Sequence, residues 1–330
     1  MGKTCRCVVT PTPDVYRAFA FNEARGHSPT YERLAQAVAG NERLTDLIDQ
    51  LPGNKRQPNL LFAAARSLGA PLHPVDAFIE WAILRWADVA ELCRTRLTQT
   101  NEVRRLATLM PLLAKIPGPL ALVEVGASAG LCLFPDRWQY RYGDAIVGDP
   151  AHPVLTCEPV GPFAPPTAIP EVIWRAGIDL NPLDVTDPED VGWLENLIWP
   201  EQSDRVRSLH SAVEIAQAEP PLLVAGDLNE RLHDLASEAP RDATLVIFHS
   251  AVLAYLRTHE RTKFVHQVHT TPGHWISNEG PQVIPGIGDL APVRHATTGS
   301  PFLMALDGRP VAWSGPHGQS IEMLPEATTV

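Results

Sequence analysis

Between residues 14 and 115 the apolar residues of this chain recur at spacings of three and four; from Leu120 onward they come in short, nearly unbroken runs. The first pattern predicts helices, because positions three and four apart share one helix face. It is satisfied over 15–23, 31–38, 44–51, 60–68, 75–93 and 101–113. Ser28-Pro29 and His73-Pro74 put proline near two helix starts, where its missing N–H costs little. Asn101 followed by Glu102 predicts the opening of the last helix, with an N-cap and an acid in the first turn. Ile116-Pro117-Gly118-Pro119 ends it.

The second pattern predicts strands. Residues 120–130 read as a strand buried on both faces that carries Glu124 where it runs out. It then turns through Gly126, Ala127, Ser128 and Gly130, and the glycines allow both a tight turn and close approach of backbone to a ligand. A second run over 172–178 ends at Asp179, and Asn181-Pro182 stops it. A third, 221–225, ends at Gly226-Asp227. A fourth, 243–248, ends at His249-Ser250, and a fifth, 274–278, at Glu279. Strands alternating with helical segments predict an α/β fold, a mainly parallel sheet with helices on both faces. In such sheets ligands bind beyond the carboxyl ends of the strands, so these polar tips are the candidate site. An insertion near 137–168 predicts a small hairpin, with 138–143 and 152–159 as partners. Asp307-Gly308 between two apolar runs predicts a C-terminal antiparallel pair.

The spacing Glu124-x-Gly126-x-x-x-Gly130 resembles the first motif of Rossmann-like S-adenosylmethionine (SAM) methyltransferases, and Gly-Ile-Asp179-Leu-Asn181-Pro resembles the second. The resemblance implies SAM held by Glu124, Gly126, Ala127, Ser128, Gly130, Asp179, Asn181, Gly226, Asp227 and His249. Asp179 would accept both ribose hydroxyls, which suits an ionised carboxylate, and the Gly226-Asp227 tip would face the adenine. Ser128 departs from the pattern, standing where many such enzymes have glycine. The Asn/Asp-Pro-Pro-aromatic motif is missing after the fourth strand. The whole chain also resembles one uncharacterised bacterial family, domain of unknown function 2332, through stretches such as "SPTYERLA", "QTNEVRR", "VIFHSAVLAYL" and "WISNEG". That resemblance implies a helical N-terminal part before a methyltransferase-like Rossmann domain, and no substrate. The expected division is 1–118, a helical lid and acceptor domain, and 119–330, the SAM-binding domain.

The expected activity is methyl transfer from SAM to a small-molecule acceptor; the alternative is a degenerate Rossmann module that binds SAM or another nucleoside without transfer. Candidate bases are His249, Glu279, Glu102 and His317. A histidine suits proton removal near neutral pH, and the alternative for His249 is a strand-end histidine that only bonds a neighbour. A hydrolase pairing of His249 with Ser250 is disfavoured, because adjacent strand residues point to opposite faces. A dinucleotide dehydrogenase is disfavoured because Asp179 lies far beyond the spacing of a ribose-binding acid in that fingerprint. His266-x-x-His269 could chelate a metal, but no third ligand is suitably spaced, and a solvated helix face is the simpler expectation. Asn101, Glu102, Arg104 and Arg105 are either substrate contacts or a cap with surface ion pairs. Trp193 and Trp199 are expected in a core.

Charge and composition narrow the partners. Residues 1–118 carry 15 basic against 11 acidic side chains, and the remainder 12 against 27, leaving the chain at −11. An acidic chain with no basic stripe repels a phosphate backbone, so nucleic acid is not an expected partner. No apolar run reaches membrane-spanning length, and the N-terminus has no apolar signal core. Five cysteines, at 5, 7, 93, 132 and 157, suggest reduced thiols and a cytoplasmic setting rather than a disulfide frame. No pattern specifies an oligomeric state.

Overall fold

The sheet edge and a helical cluster organise this computed structural model, which describes residues 10–99, 101–292 and 301–325. Cys5 and Cys7 lie outside the described residues. The chain forms two compact units. One comprises 1–100 together with 188–206; the other comprises 101–187 and 207–330.

The first unit is helical. It contains α1 (Thr12–Phe19), α2 (Pro29–Gly40), α3 (Glu42–Ile48), α4 (Pro58–Ser67), α5 (Val75–Leu84) and α6 (Trp86–Thr95). Ser28 caps α2, its hydroxyl accepting the Tyr31 N–H at 3.1 Å, and Pro29 takes the first helical position. The stretch expected as one helix over 75–93 is two, because the backbone leaves helical geometry at Arg85. The aromatic centre is Tyr16, Phe19, Tyr31, Phe62 and Phe78, with Phe62 4.7 Å from Tyr31 and 5.8 Å from Phe78, ring to ring. A later helix (α8, Pro188–Leu197) belongs to the same unit: Arg66 donates to the carbonyls of Asn196 and Ile198. Trp199 Nε1–H donates to Asn59 Oδ1 at 2.9 Å, and its ring meets Phe19 and Tyr31. Trp193 is buried.

The second unit starts at Asn101 rather than near 119. The reason is α7 (Arg105–Leu113), whose residues from Leu106 to Leu113 are all buried. Its Ala107 carbonyl accepts the Tyr142 hydroxyl at 2.7 Å, tying the helix to the sheet unit. Asn101 and Glu102 precede α7 and do not open it; the N-cap residue is Arg104, without a side-chain cap.

The core of this unit is the sheet. Its parallel centre is β1 (Leu120–Val125), β5 (Val172–Asp179), β6 (Leu222–Ala225), β7 (Thr244–Ser250) and β8 (His274–Glu279), in the spatial order β6-β5-β1-β7-β8. All six residues of β1 are buried, as a strand covered on both faces must be. Helices fill the crossovers: α8 and α9 (Ser203–Ala218) between β5 and β6, α10 (Leu228–Ser237) between β6 and β7, α11 (Thr258–Thr270) between β7 and β8. The chain runs outward from β1 to β6 and then returns to β7 on the other side, so the order reverses at β1. β9 (Phe302–Leu306) and β10 (Arg309–Ser314) form the expected antiparallel pair, with Asp307 and Gly308 both at positive φ in the turn.

The insertion is larger than the expected hairpin. β2 (Gln139–Tyr142) pairs antiparallel with β3 (Ala145–Val147) across Gly143, while β4 (Val154–Pro159), the expected partner, runs parallel to β2. β4 then pairs with β11 (Ser320–Met323), which joins these strands to the main sheet as an eleven-stranded whole. No α-helix comes directly after β1: two short 3-10 turns, Leu131–Leu133 and Pro135–Arg137, lead into β2. Among the described residues, no helix is long and apolar enough to cross a membrane.

Candidate functional site at the carboxyl edge of the sheet

The turn after β1 is locked from three sides. Gly126 and Ala127 donate their N–H groups to Ile178 O, at 2.7 and 3.0 Å. Ser128 holds φ +52, a left-handed conformation that a residue with Cβ adopts only when its neighbours impose it. Its N–H donates to Asp179 Oδ2 at 2.8 Å. On the far side, Asn101 Oδ1 accepts the N–H groups of Ala129 and Leu131, at 3.2 and 3.0 Å. Asn101 is therefore a clamp on this turn and not a helix cap.

Glycines of the turn, and Gly226 beyond β6, sit against packed side chains of the protein itself. At Gly126, φ is +72 and an added Cβ would overlap both methyl carbons of Val252. At Gly130 it would meet Pro221 at 2.9 Å, and at Gly226 the Arg231 side chain at 2.8 Å. The expected open approach for a ligand at Gly126 is thus filled by Val252.

Asp179 is half-exposed at the end of β5. Oδ2 takes Ser128 N–H, Oδ1 takes Asn181 N–H at 2.9 Å, and its carbonyl takes Gly226 N–H at 2.9 Å. One residue thereby joins the tips of β1, β5 and β6. Asp227, exposed, caps α10 by accepting Asn229 N–H at 2.7 Å.

Glu124 is buried directly behind the turn, and its Oε2 finds no hydrogen-bond partner among the described residues. Burial, and after it the nearby Asp179 carboxylate, push its carboxyl well above the ordinary range; Arg105 and a hydrogen bond with the Cys132 thiol oppose this. Burial likewise raises Cys132, whose thiol donates to the Glu102 carbonyl at 3.6 Å. Glu102 is buried, with its carboxylate 3.7 Å from His317 Nδ1. Arg105 reaches across the edge, donating to Pro316 O at 2.8 Å and to Ser250 O at 3.1 Å. Beside it, Ser314 donates to Asn278, and the Asn278 amide donates to Ser250 Oγ. Cys93, Cys132 and Cys157 are free and buried; burial raises Cys93 and Cys157 to about 12, so neither is a ready nucleophile.

His249 and Glu279 come together, but in the interior. His249 Nδ1 lies 2.8 Å from Glu279 Oε1, and Trp275 Nε1–H donates to His249 Nε2 at 3.1 Å. The indole can only donate, so Nε2 is the acceptor and the ring proton sits on Nδ1. Phe264 packs edge-on against the ring at 5.3 Å. Both nitrogens of the expected base are engaged inside the core. The same Glu279 oxygen accepts the N–H groups of Val252 and Leu253.

Asn101, expected as a cap or a substrate contact, instead clamps the turn, and Cys132, Val252 and Trp275 shape the edge without having been expected there. The Asn-Glu pair was visible as a cap signal, and the other three carry no local pattern. His266 and His269 lie on α11, the latter against the Trp275 ring at 5.3 Å.

No curated protein matches the chain. Residues 13–322 match the model of a family described as "Uncharacterized protein conserved in bacteria (DUF2332)", and the chain belongs to that family.

Proposed function

We propose that the carboxyl edge formed by β1, β5 and β6 binds SAM and that the chain transfers its methyl group to a small-molecule acceptor. The observation that carries this reading is Asp179. It is a half-exposed carboxylate at a strand end, oriented by N–H groups of the β1 turn and of its own loop. Carboxylate oxygens each accept more than one donor, which suits the two hydroxyls of a ribose. The reversal of strand order at β1 supports the same edge, since doubly wound sheets bind ligands where the order switches. The buried Oε2 of Glu124, with no hydrogen-bond partner among the described residues, also suits a polar ligand.

In this reading Asp179 holds the ribose and the Gly226-Asp227 tip flanks the base. The Rossmann-like arrangement is part of the proposal, with one departure: no α-helix N-terminus comes directly after β1, so the ligand would be held from strand tips. A bound SAM supplies an electrophilic methyl on a sulfonium. Glu102, with His317 beside it, is the carboxylate assigned to the acceptor. The second reading, nucleoside binding without transfer, is favoured by one observation: His249 and Glu279 are committed to each other and to the backbone.

Calorimetry with SAM and with S-adenosylhomocysteine tests the proposal. Heat of binding that is lost in Asp179→Ala supports it. Absence of heat and of any rise in melting temperature at millimolar SAM overturns it.

A further inference from the structure

The loop after β7 holds a strained turn that the proposed ligand contacts do not account for. Ala251 sits at φ +59, a conformation disfavoured for any residue with a Cβ. Its N–H donates to Asn278 O at 3.0 Å. The next two N–H groups, of Val252 and Leu253, donate to Glu279 Oε1 at 2.8 and 2.9 Å, and His249 Nδ1–H donates to the same oxygen. Glu279 is buried, and Trp275 fixes the tautomer of His249 from behind. Three donors on one buried oxygen therefore set the path of the chain at 251–253. The result is that the Val252 side chain fills the space over Gly126, the point at which a glycine turn would otherwise let a ligand approach the backbone. Tyr255, 73% exposed, stands three residues further along the same loop.

We infer that Glu279 is a positioning residue and Val252 a specificity-determining one: the carboxylate seats the valine on the β1 turn, and the valine sets how closely a nucleoside comes to Gly126. This rests on the proposed nucleoside binding. A ligand held by Asp179 then meets an apolar methyl pair over the turn instead of bare backbone, which selects against bulk or charge at that part of the sugar.

Two measurements on the full chain test it. Amide hydrogen exchange, without ligand, reads the seat. Glu279→Gln is expected to speed exchange at Val252 and Leu253 at least tenfold while the amides of β1 keep their protection. Unchanged exchange there overturns the positioning role. Calorimetry with S-adenosylhomocysteine reads the valine, and Val252→Ala, which keeps every hydrogen bond of the loop, is expected to tighten binding at least fivefold. Wild-type binding with Val252→Ala within twofold of it overturns the specificity role. If neither protein binds the probe while exchange responds as expected, the positioning of the loop stands and the nucleoside reading falls.

Discussion

Asp179 and Glu279 occupy equivalent places, each closing a parallel strand at the same edge of one sheet, yet they live in different media. Asp179 is half-exposed and accepts one N–H from the buried β1 turn and one from Asn181 in an exposed loop. Glu279 is buried; it binds two N–H groups and a histidine whose other side is closed by Trp275 and Phe264. The contrast comes from the loops that cover each tip. After Asp179 the chain continues through Leu180, Asn181 and Pro182, and the first two are exposed. After His249 it continues through Val252 and Leu253, which fold back over the tip, while Val283, Ile284 and Ile287 join the same apolar cluster. A strand-end acid is thus left open to solvent or built in as an internal strut according to its cover.

The sharpest way to break this comparison is to remove the strut. Glu279→Ala leaves His249 Nδ1–H and two amides buried without an acceptor, and should cost about 3–5 kcal/mol of unfolding free energy, as loss of one partner of a buried pair does. Urea denaturation measures it. A loss below about 1 kcal/mol would mean the interior at this tip is wetter than its burial implies.

Gly126→Val comes next and separates the turn's structural role from any ligand. The new side chain meets Val252 and sits at positive φ, so it should destabilise by about 2–4 kcal/mol. Helical content should survive, because the clash is local. Ligand binding should be lost through displacement of the turn. Relief of the defect in the double variant Gly126→Val/Val252→Ala, read as melting temperature, would locate the clash at Val252.

Asp179→Ala should shift the balance, with a smaller loss of stability than Glu279→Ala, from the freed Ser128 and Asn181 N–H groups, and a large loss of SAM affinity. Removing hydrogen bonds to a charged acceptor costs about 1.5–3 kcal/mol, some tenfold to a hundredfold in affinity. If stability falls by that amount and affinity does not, Asp179 belongs with Glu279 as a strut.

Much of the architecture was legible. The five parallel strands follow from apolar runs with polar ends, the C-terminal pair from Asp307-Gly308, and the helical first unit from its three-and-four spacing. What was missed is tertiary. Nothing near Arg85 marks a helix break, and Asn101 has the residue type and flanks of an N-cap while its side chain clamps a turn 28 residues away. β11 is four residues long and is defined by partners from β10 and β4. Membership of 188–206 in the first unit depends on contacts with α4, which local periodicity does not encode. At the site, strand ends were placed correctly by pattern, but burial of a strand end depends on the loop folding over it, and that separates His249 from Asp179.

Glu124 gives the smallest and most specific test, because it stands between the two regimes: buried like Glu279, yet beside Asp179. Its carboxyl is raised by burial first and by Asp179 second. A raised folded-state value means the native protein holds this proton more tightly than the unfolded chain does. The stabilisation is complete below the unfolded carboxylate range, near pH 4, and is lost progressively as pH rises toward the folded value. Across that window this one group should lower stability by at most about 1.4 kcal/mol per pH unit. Glu124→Gln keeps the shape and a hydrogen-bond donor but has no proton to lose. Its melting temperature relative to wild type should therefore rise as pH climbs above the unfolded carboxylate range, and a difference independent of pH would show that Glu124 is ionised in the folded protein. Added SAM sharpens the test. If the ligand's polar groups meet Oε2, the pH dependence of the wild type should change on binding while that of the variant stays flat.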